Sequence, residues 1–219
     1  MKSKVHDSSA DSMSEVKYKG RLFDGQSPKP ESHLIGEIET LLQRKLPEDY
    51  LGFLNEVHAA TLDYEIHIKL PDLRSNYRTF GTLFQIVEEG SWCTNPFELN
   101  YAKEDEQYPE GLLPFAMSDY GDYLFMDLTA GYKIMALIQG SESSTGETTE
   151  TKLVQVADSF DDYLSKLTIS DETMEDHIRT FDPTKAAVEA TVDWFDSARP
   201  DWRTKFKELW NQNVERVKI

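Results

Sequence analysis

The stretch Glu110–Thr129, EGLLPFAMSDYGDYLFMDLT, limits what this chain can fold into more than any other part of it. Two apolar runs, 112–117 and 123–128, flank five polar or turn-forming residues. Gly121 can adopt a positive φ without steric cost, and the aspartates beside it can hydrogen-bond the nearby backbone. The pattern predicts a β-hairpin with a loop of about five residues. Runs this apolar predict central strands that are covered on one face and partly on the other.

Apolar periodicity predicts further elements on both sides of this hairpin. Helical spacing follows Ser32 and again Pro47, while YEIHIKL alternates strictly between apolar and polar residues, as a half-buried strand does. Asn95 and Pro96 have the residue types of a helix start. The segment 79–88 combines helical spacing with strand-forming composition, so periodicity leaves both open. The predicted helices are 32–44 or 33–44, 47–57, 95–108 and one that Asp158 or Ser159 caps and that continues to Leu167. The predicted strands are 64–70, 132–139 and 152–156.

The two ends of the chain differ from its middle. Residues 1–30 are polar and predict a flexible arm, although Val16 to Phe23 can also form an edge strand. The tail predicts helices that begin at Asp182-Pro183 and Pro200-Asp201 and carries three of the four tryptophans. Its aromatic face requires burial on the sheet, in a dimer or on a partner. The expected units are an arm at 1–30, an α+β domain at 31–169 and a helical extension at 170–219.

Charge is the strongest signal in the composition. A net charge of -17 repels nucleic-acid phosphate and anionic lipid and attracts basic partners. Solubility or a salt-tolerant host would explain the same charge. No apolar run approaches the roughly 20 residues that span a bilayer, no secretory signal is evident, and the lone Cys93 fits a reducing cytosol. We therefore predict a cytoplasmic protein that contacts neither nucleic acid nor membrane.

Sequence motifs for catalysis are absent. The chain has no phosphate-binding loop, HExxH, CxxC or GxSxG pattern. Asp119, Asp122 and Asp127 are close enough in sequence for acid/base or metal chemistry, but two of them occupy positions where a hairpin turn favours aspartate. We predict that the protein is not an enzyme and uses no cofactor or metal.

Three blocks in order, LPEDYLGFL, LLPFAMSDYGDYLFMDL and VADSFDDYLSKL, resemble the SUKH superfamily over residues 34–167. That superfamily includes bacterial immunity proteins against secreted nuclease toxins, such as those of contact-dependent inhibition and other polymorphic-toxin systems, and a fungal regulator of cell-wall synthesis. The resemblance implies an α+β fold with a largely antiparallel sheet of about six strands, and a strand at 79–88. One departure is Val57-His58-Ala59-Ala60, where the family usually has a Gly-Gly pair, so the first strand is expected to begin differently here.

The resemblance implies a cytosolic immunity protein that neutralises a toxin, and the charge is compatible with a basic nuclease as that toxin. The alternative is a regulatory scaffold like the fungal member. Tyr120 has the amphipathic character enriched at binding hot spots, although turn geometry alone also accounts for Tyr120 and Asp122. The acidic run at 104–106 equally fits a solvated helix end. The residues expected to contact the partner are Asp119, Tyr120, Asp122, Glu104, Asp105, Glu106, Glu88 and Glu89.

Overall fold

A computed structural model describes residues 15–25, 29–70, 76–86, 111–140 and 150–214. Within these ranges it contains nine strands and seven helices. The strands are β1 Glu15–Tyr18, β2 Arg21–Asp24, β3 Glu65–His67, β4 Tyr77–Thr79, β5 Thr82–Leu83, β6 Leu112–Met117, β7 Tyr123–Asp127, β8 Lys133–Ile138 and β9 Lys152–Ala157. The helices are α1 Ser32–Leu42, α2 Glu48–Glu56, α3 Phe160–Lys166, α4 Asp171–Thr180, α5 Lys185–Ala198, α6 Trp202–Lys205 and α7 Lys207–Val214.

Five strands form one antiparallel sheet in the order β5-β6-β7-β8-β9. The β1-β2 hairpin joins its β5 edge through Thr61, which bridges to Asp24 on one side and to Thr82 on the other. Strands β3 and β4 pair separately. The predicted α+β class, with a largely antiparallel sheet and C-terminal helices, is confirmed.

The central hairpin forms where the sequence predicted it. Gly121 in its turn has a φ of 80°, the positive value that only glycine adopts without strain. Pro114 lies inside β6, which is unusual for a central strand because proline cannot donate to the ladder. The register between β6 and β7 shifts between Pro114 and Ala116, so a bulge accommodates the missing donor.

The sheet is apolar on both faces. One face carries Leu124 and Ala136, both fully buried, into the main core beneath the helices. On the other face Leu112, Phe125 and Leu137 form a smaller separate cluster. Burial on both sides explains why β6 and β7 are nearly continuous in apolar residues instead of alternating.

The later predictions of strand and helix agree closely with the structure. β8 and β9 occupy the predicted segments, and α3 begins after Ser159, whose Oγ accepts a hydrogen bond from the Asp162 amide at 3.1 Å. The alternation expected over Tyr64–Leu70 holds, but the paired strand is shorter, at Glu65–His67. The strand expected at 79–88 is replaced by β4 and β5 on either side of Phe80. The helix predicted after Asn95 lies outside the described residues.

His58 occupies the position where the SUKH resemblance leads one to expect glycine. Its φ is 66°, in the left-handed region that glycine adopts freely. The ring is 2% exposed, and its Nε2 accepts a hydrogen bond from the Ile86 amide at 2.9 Å. A buried side-chain interaction therefore offsets the backbone cost of this turn.

Residues 15–24, inside the segment expected to be a flexible arm, form a packed hairpin instead. Phe23 is 1% exposed and contacts Phe53 of α2 with ring centroids 5.4 Å apart. Tyr18 also packs edge-on against Phe53, at 5.6 Å. A Cβ on Gly52 would lie 3.1 Å from the Tyr18 hydroxyl, so glycine allows this close approach. The strands agree with the alternative of an edge strand at Val16 to Phe23, whereas the polar composition of 1–30 had favoured an arm.

The C-terminal helices pack on the same main core, with Phe195 and Trp202 buried. Three details differ from the sequence-based expectation. Helix α4 was not predicted, α5 is capped by Thr184 and not by Asp182, and the last predicted helix is interrupted at Phe206. The cap moves because the Thr184 hydroxyl accepts the Ala187 amide hydrogen bond at 3.2 Å.

Among the described helices, none has the length and apolar character that a bilayer crossing requires.

Candidate functional site

The turn of the central hairpin, residues 118–122, is the candidate site, and we call it the hairpin tip. Ser118 is 2% exposed, and its Oγ accepts hydrogen bonds from the amides of Tyr120 at 3.2 Å and Asp122 at 3.1 Å. The Ser118 amide donates to the Asp122 carbonyl at 2.9 Å, and the Gly121 amide donates to the Ser118 carbonyl at 3.2 Å. The side-chain hydroxyl and the backbone together fix the turn.

Asp122 faces inward from the tip. Its carboxylate accepts a hydrogen bond from the Gln139 amide at 2.8 Å, and its other oxygen lies 3.7 Å from Nε of Arg78. Burial raises the pKa of Asp122, while the Gln139 amide and the Arg78 charge oppose that rise. The side chain ties β7 to the end of β8, so we remove Asp122 from the candidate contact surface.

Tyr120 points outward from this fixed turn and is 89% exposed, with Asp119 exposed beside it. Leu153 of β9, at 40%, is the other large apolar side chain that is exposed among the described residues. Full burial of a large apolar side chain stabilises a fold by roughly 1.5–3 kcal/mol. Tyr120 makes no such contribution here, because its ring stays in solvent. An exposed tyrosine on a rigid turn is the side-chain type that anchors protein interfaces.

Glu88, Glu89, Glu104, Asp105 and Glu106 all lie outside the described residues. The hairpin tip thus consists of Asp119 and Tyr120 at the surface above an internal framework of Ser118 and Asp122.

The three aspartates that suggested chemistry do not share one site: Asp119 is exposed at the tip, Asp122 turns inward from it, and Asp127 holds the next turn. Asp127 accepts hydrogen bonds from the Thr129 amide at 2.8 Å, the Thr129 hydroxyl at 2.7 Å and the Ala130 amide at 3.0 Å. Burial would raise the pKa of Asp127, but these hydrogen bonds outweigh it and leave the pKa below its ordinary value. In the part of the chain that the structure describes, no three His, Cys, Asp or Glu side chains are grouped to hold a metal ion.

A second acidic surface was missed by sequence reasoning. Glu15 lies directly opposite Asp24 in the β1-β2 hairpin, and both Asp24 and Asp193 raise the pKa of Glu15 in addition to the effect of burial. Burial and Asp24 likewise raise the pKa of Asp63. We call these four residues the acidic cluster. Like charges directly opposite one another in a hairpin are unfavourable. The edge strand predicted for Val16 to Phe23 was the sequence signal that could have led to the Glu15–Asp24 pair.

The structure is that of an α+β protein with an exposed tyrosine on a hydrogen-bonded turn and with acidic surfaces. The model of the SMI1 / KNR4 family (SUKH-1) matches residues 30–166. The chain belongs to this family, whose members are immunity and regulatory proteins that act through protein–protein contacts. No curated protein and no solved structure matches the chain.

Proposed function

We propose that this protein is an immunity protein that binds and neutralises a basic toxin domain. The toxin in this proposal is a nuclease, and the protein acts in the cytoplasm of the cell that makes it. The observation that carries the proposal is Tyr120, 89% exposed on a turn held by buried hydrogen bonds. Family membership and the net charge of -17 support the same reading of the chain as a binding protein for a basic partner.

The mechanism we propose is occlusion of the toxin's active-site surface. A nuclease needs a positively charged groove to hold phosphate, and a negatively charged protein associates rapidly with such a groove. Tyr120 supplies a contact that can be desolvated, and Asp119 places a carboxylate beside it for a lysine or arginine of the toxin. Because the turn is already fixed, little conformational entropy is lost when the tip binds.

The acidic cluster has a different part in this proposal. Glu15, Asp24, Asp63 and Asp193 add to the negative field that draws the basic domain towards the protein, which affects the association rate more than the strength of the final complex. Salt should therefore slow association, since the Debye length is only roughly 8 Å at physiological ionic strength.

Affinity capture tests the proposal. The purified full chain is used as bait against lysate of its host, eluted in a salt gradient, beside the variants Tyr120→Ala and Leu153→Ala. We expect the wild type and Leu153→Ala to retain a basic nuclease domain that elutes at elevated salt, and Tyr120→Ala to lose most of it. Leu153 is the matched control because it is the other exposed large apolar residue in the described part of the chain.

The captured domain is then assayed for nuclease activity with and without added protein. Stoichiometric inhibition is expected. Recovery of cell-wall or signalling proteins in place of a nuclease would overturn the proposal in favour of the regulatory scaffold. Capture that is equal for all three baits would show that the hairpin tip is not the contact.

A further inference from the structure

Two segments outside the family match of residues 30–166 complete the core of the protein. The hairpin at residues 15–24 supplies Phe23, and residues 185–214 supply Phe195, Trp202 and Phe206 to the same buried cluster. We call these two segments together the clasp. Helix α4 is not included, because its first turn is held directly by Glu65, which accepts a hydrogen bond from the Thr173 hydroxyl at 2.7 Å.

Arg21 joins the two halves of the clasp to the domain between them. Its Nε donates to the Leu164 carbonyl at 3.0 Å, and one terminal nitrogen donates to the Ser165 carbonyl at 3.1 Å. The other terminal nitrogen donates to the Ser197 carbonyl. The first two carbonyls lie at the end of α3 and the third lies at the end of α5, so a single guanidinium closes two helix C-termini.

Carbonyls at both helix ends stabilise the charge of Arg21. Helix C-termini carry partial negative charge, and the guanidinium carbon also lies 5.6 Å from the centre of the Tyr64 ring. Burial lowers the pKa of Arg21, and within the described residues no carboxylate pairs with it. Moving either helix end away would leave a partly buried cation with too few acceptors, which is costly.

Tyr64 forms a second link between the same segments. Its hydroxyl oxygen accepts a hydrogen bond from the Leu22 amide at 2.8 Å and lies 2.5 Å from Oγ of Ser197. The Ser197 hydroxyl in turn donates to the Trp194 carbonyl at 2.7 Å. Since the serine proton is used on Trp194, the tyrosine proton is the one that bridges Tyr64 and Ser197. This chain of hydrogen bonds runs from β2 through the domain to α5.

We propose that the clasp is one coupled unit, whose N-terminal hairpin and C-terminal helices α5 to α7 dock and release together. Arg21 holds the two parts in the docked state. The central sheet stays folded when they release. Release would uncover the Tyr64 and Phe53 side of the domain. Glu15, Asp24 and Asp193 of the acidic cluster lie in the clasp. The device can still be tested separately from the proposed function, because no residue changed in its test belongs to the hairpin tip or to the acidic cluster.

Hydrogen–deuterium exchange on the full chain tests the coupling. In Arg21→Ala we expect amide exchange to rise by about tenfold or more in both 15–24 and 185–198, with the amides of β6 to β8 unchanged. Arg21→Lys should recover only part of the protection, since an ammonium group cannot reach three carbonyls on two helices. Lys19→Ala is the matched control on the same hairpin: it removes the exposed ion pair between Lys19 and Asp161 of α3 and should leave α5 unaffected.

Ser197→Ala approaches the contacts of Arg21 from the opposite side and keeps the guanidinium. Coupling is reciprocal, so this change in α5 should also raise exchange in the hairpin, by a smaller factor than Arg21→Ala. It also serves as the second variant if Arg21→Ala does not fold. A rise confined to the mutated segment, a rise that extends equally through the central sheet, or unchanged exchange would each overturn the coupled clasp.

Discussion

The hairpin tip and the clasp use aromatic side chains in opposite ways. Tyr120 is 89% exposed, although the turn beneath it is fixed by buried hydrogen bonds, whereas Trp202 is 1% exposed and contacts Phe195 and Trp210. The clasp places its aromatics where they stabilise the fold. At the tip, the buried polar residues Ser118 and Asp122 hold the turn in place, while the ring of Tyr120 stays exposed to solvent. This arrangement is expected of a recognition surface.

The two regions also use carboxylates differently. At the tip, Asp122 is buried and ties two strands, while Asp119 beside Tyr120 is exposed. In the clasp, Asp196 accepts hydrogen bonds from Trp202 Nε1 at 2.7 Å and from Arg203, close to the surface. Neighbouring acidic residues in one turn therefore have separate roles, and only the structure separates them.

The largest expected effect is in the clasp. Trp202→Ala removes a fully buried indole and should lower the free energy of unfolding by about 3–5 kcal/mol, measured by urea denaturation. Tyr120→Ala should change it by no more than about 0.5 kcal/mol, because exposed side chains contribute little to stability. Similar losses in the two variants would break the comparison.

Asp122 sharpens the comparison within the tip. Asp122→Ala deletes the acceptor of the Gln139 amide and the partner of Arg78, so we expect a loss of about 1–3 kcal/mol in the free energy of unfolding. Asp119→Ala is the matched control, three residues earlier in the same turn and exposed, and should be nearly neutral. If Asp119→Ala were the more damaging change, our assignment of inward and outward carboxylates would be wrong.

Acid should weaken the carboxylate pairs that hold the clasp. Hydrogen bonding to Arg203 lowers the pKa of Asp196, and hydrogen bonds to Lys205 and Arg199 lower that of Asp171. A lowered folded-state pKa gives stability that is complete above the ordinary value and is lost as pH falls through the folded value. Asp196→Asn should reduce the free energy of unfolding that is lost in acid by less than about 1 kcal/mol, since the Asp196–Arg203 pair is partly exposed. Thermal unfolding of the wild type and of Asp196→Asn between pH 6 and pH 2 measures this difference. The same loss of stability in both proteins would show that the Asp196 pair does not stabilise the clasp.

The smallest effect is a gain in stability. Glu15→Gln relieves the repulsion across the hairpin from Asp24, and we expect stabilisation of about 0.2–1 kcal/mol at pH 7. Because burial and its acidic neighbours raise the pKa of Glu15, its penalty appears as pH rises through that pKa. The gain should therefore vanish in acid, where the wild-type side chain is protonated. Lys17→Gln, which removes the nearby positive charge, should act in the opposite direction.

Local chemistry explains which parts were predictable from sequence. The central hairpin depends on Gly121 and on two apolar runs within one short segment, so its turn and its burial were both predictable. Arg21 bonds to carbonyls 143 and 176 positions away, and no local pattern contains that information. Helix α4 has Met174 and Ile178 as its buried residues, too few to produce a clear periodicity.

The candidate site was predictable in part for the same reason. The residues 118–122 were identifiable as a turn, and Tyr120 as an exposed anchor follows from a large side chain in such a turn. Which aspartate turns inward depends on Arg78 of β4 and on Gln139, the residue after β8, and both are distant in sequence from the turn. The acidic cluster combines residues of a hairpin, a loop and α5, so it exists only in three dimensions.

The most direct test of the central claim is one pair of numbers for Tyr120→Ala: its free energy of unfolding and its dissociation constant for the captured basic domain. We predict unchanged stability and a dissociation constant raised by about 30-fold, equivalent to the roughly 2 kcal/mol that a hot-spot residue contributes. An unchanged dissociation constant, or a stability loss as large as that of Trp202→Ala, would show that the hairpin tip is not a recognition surface.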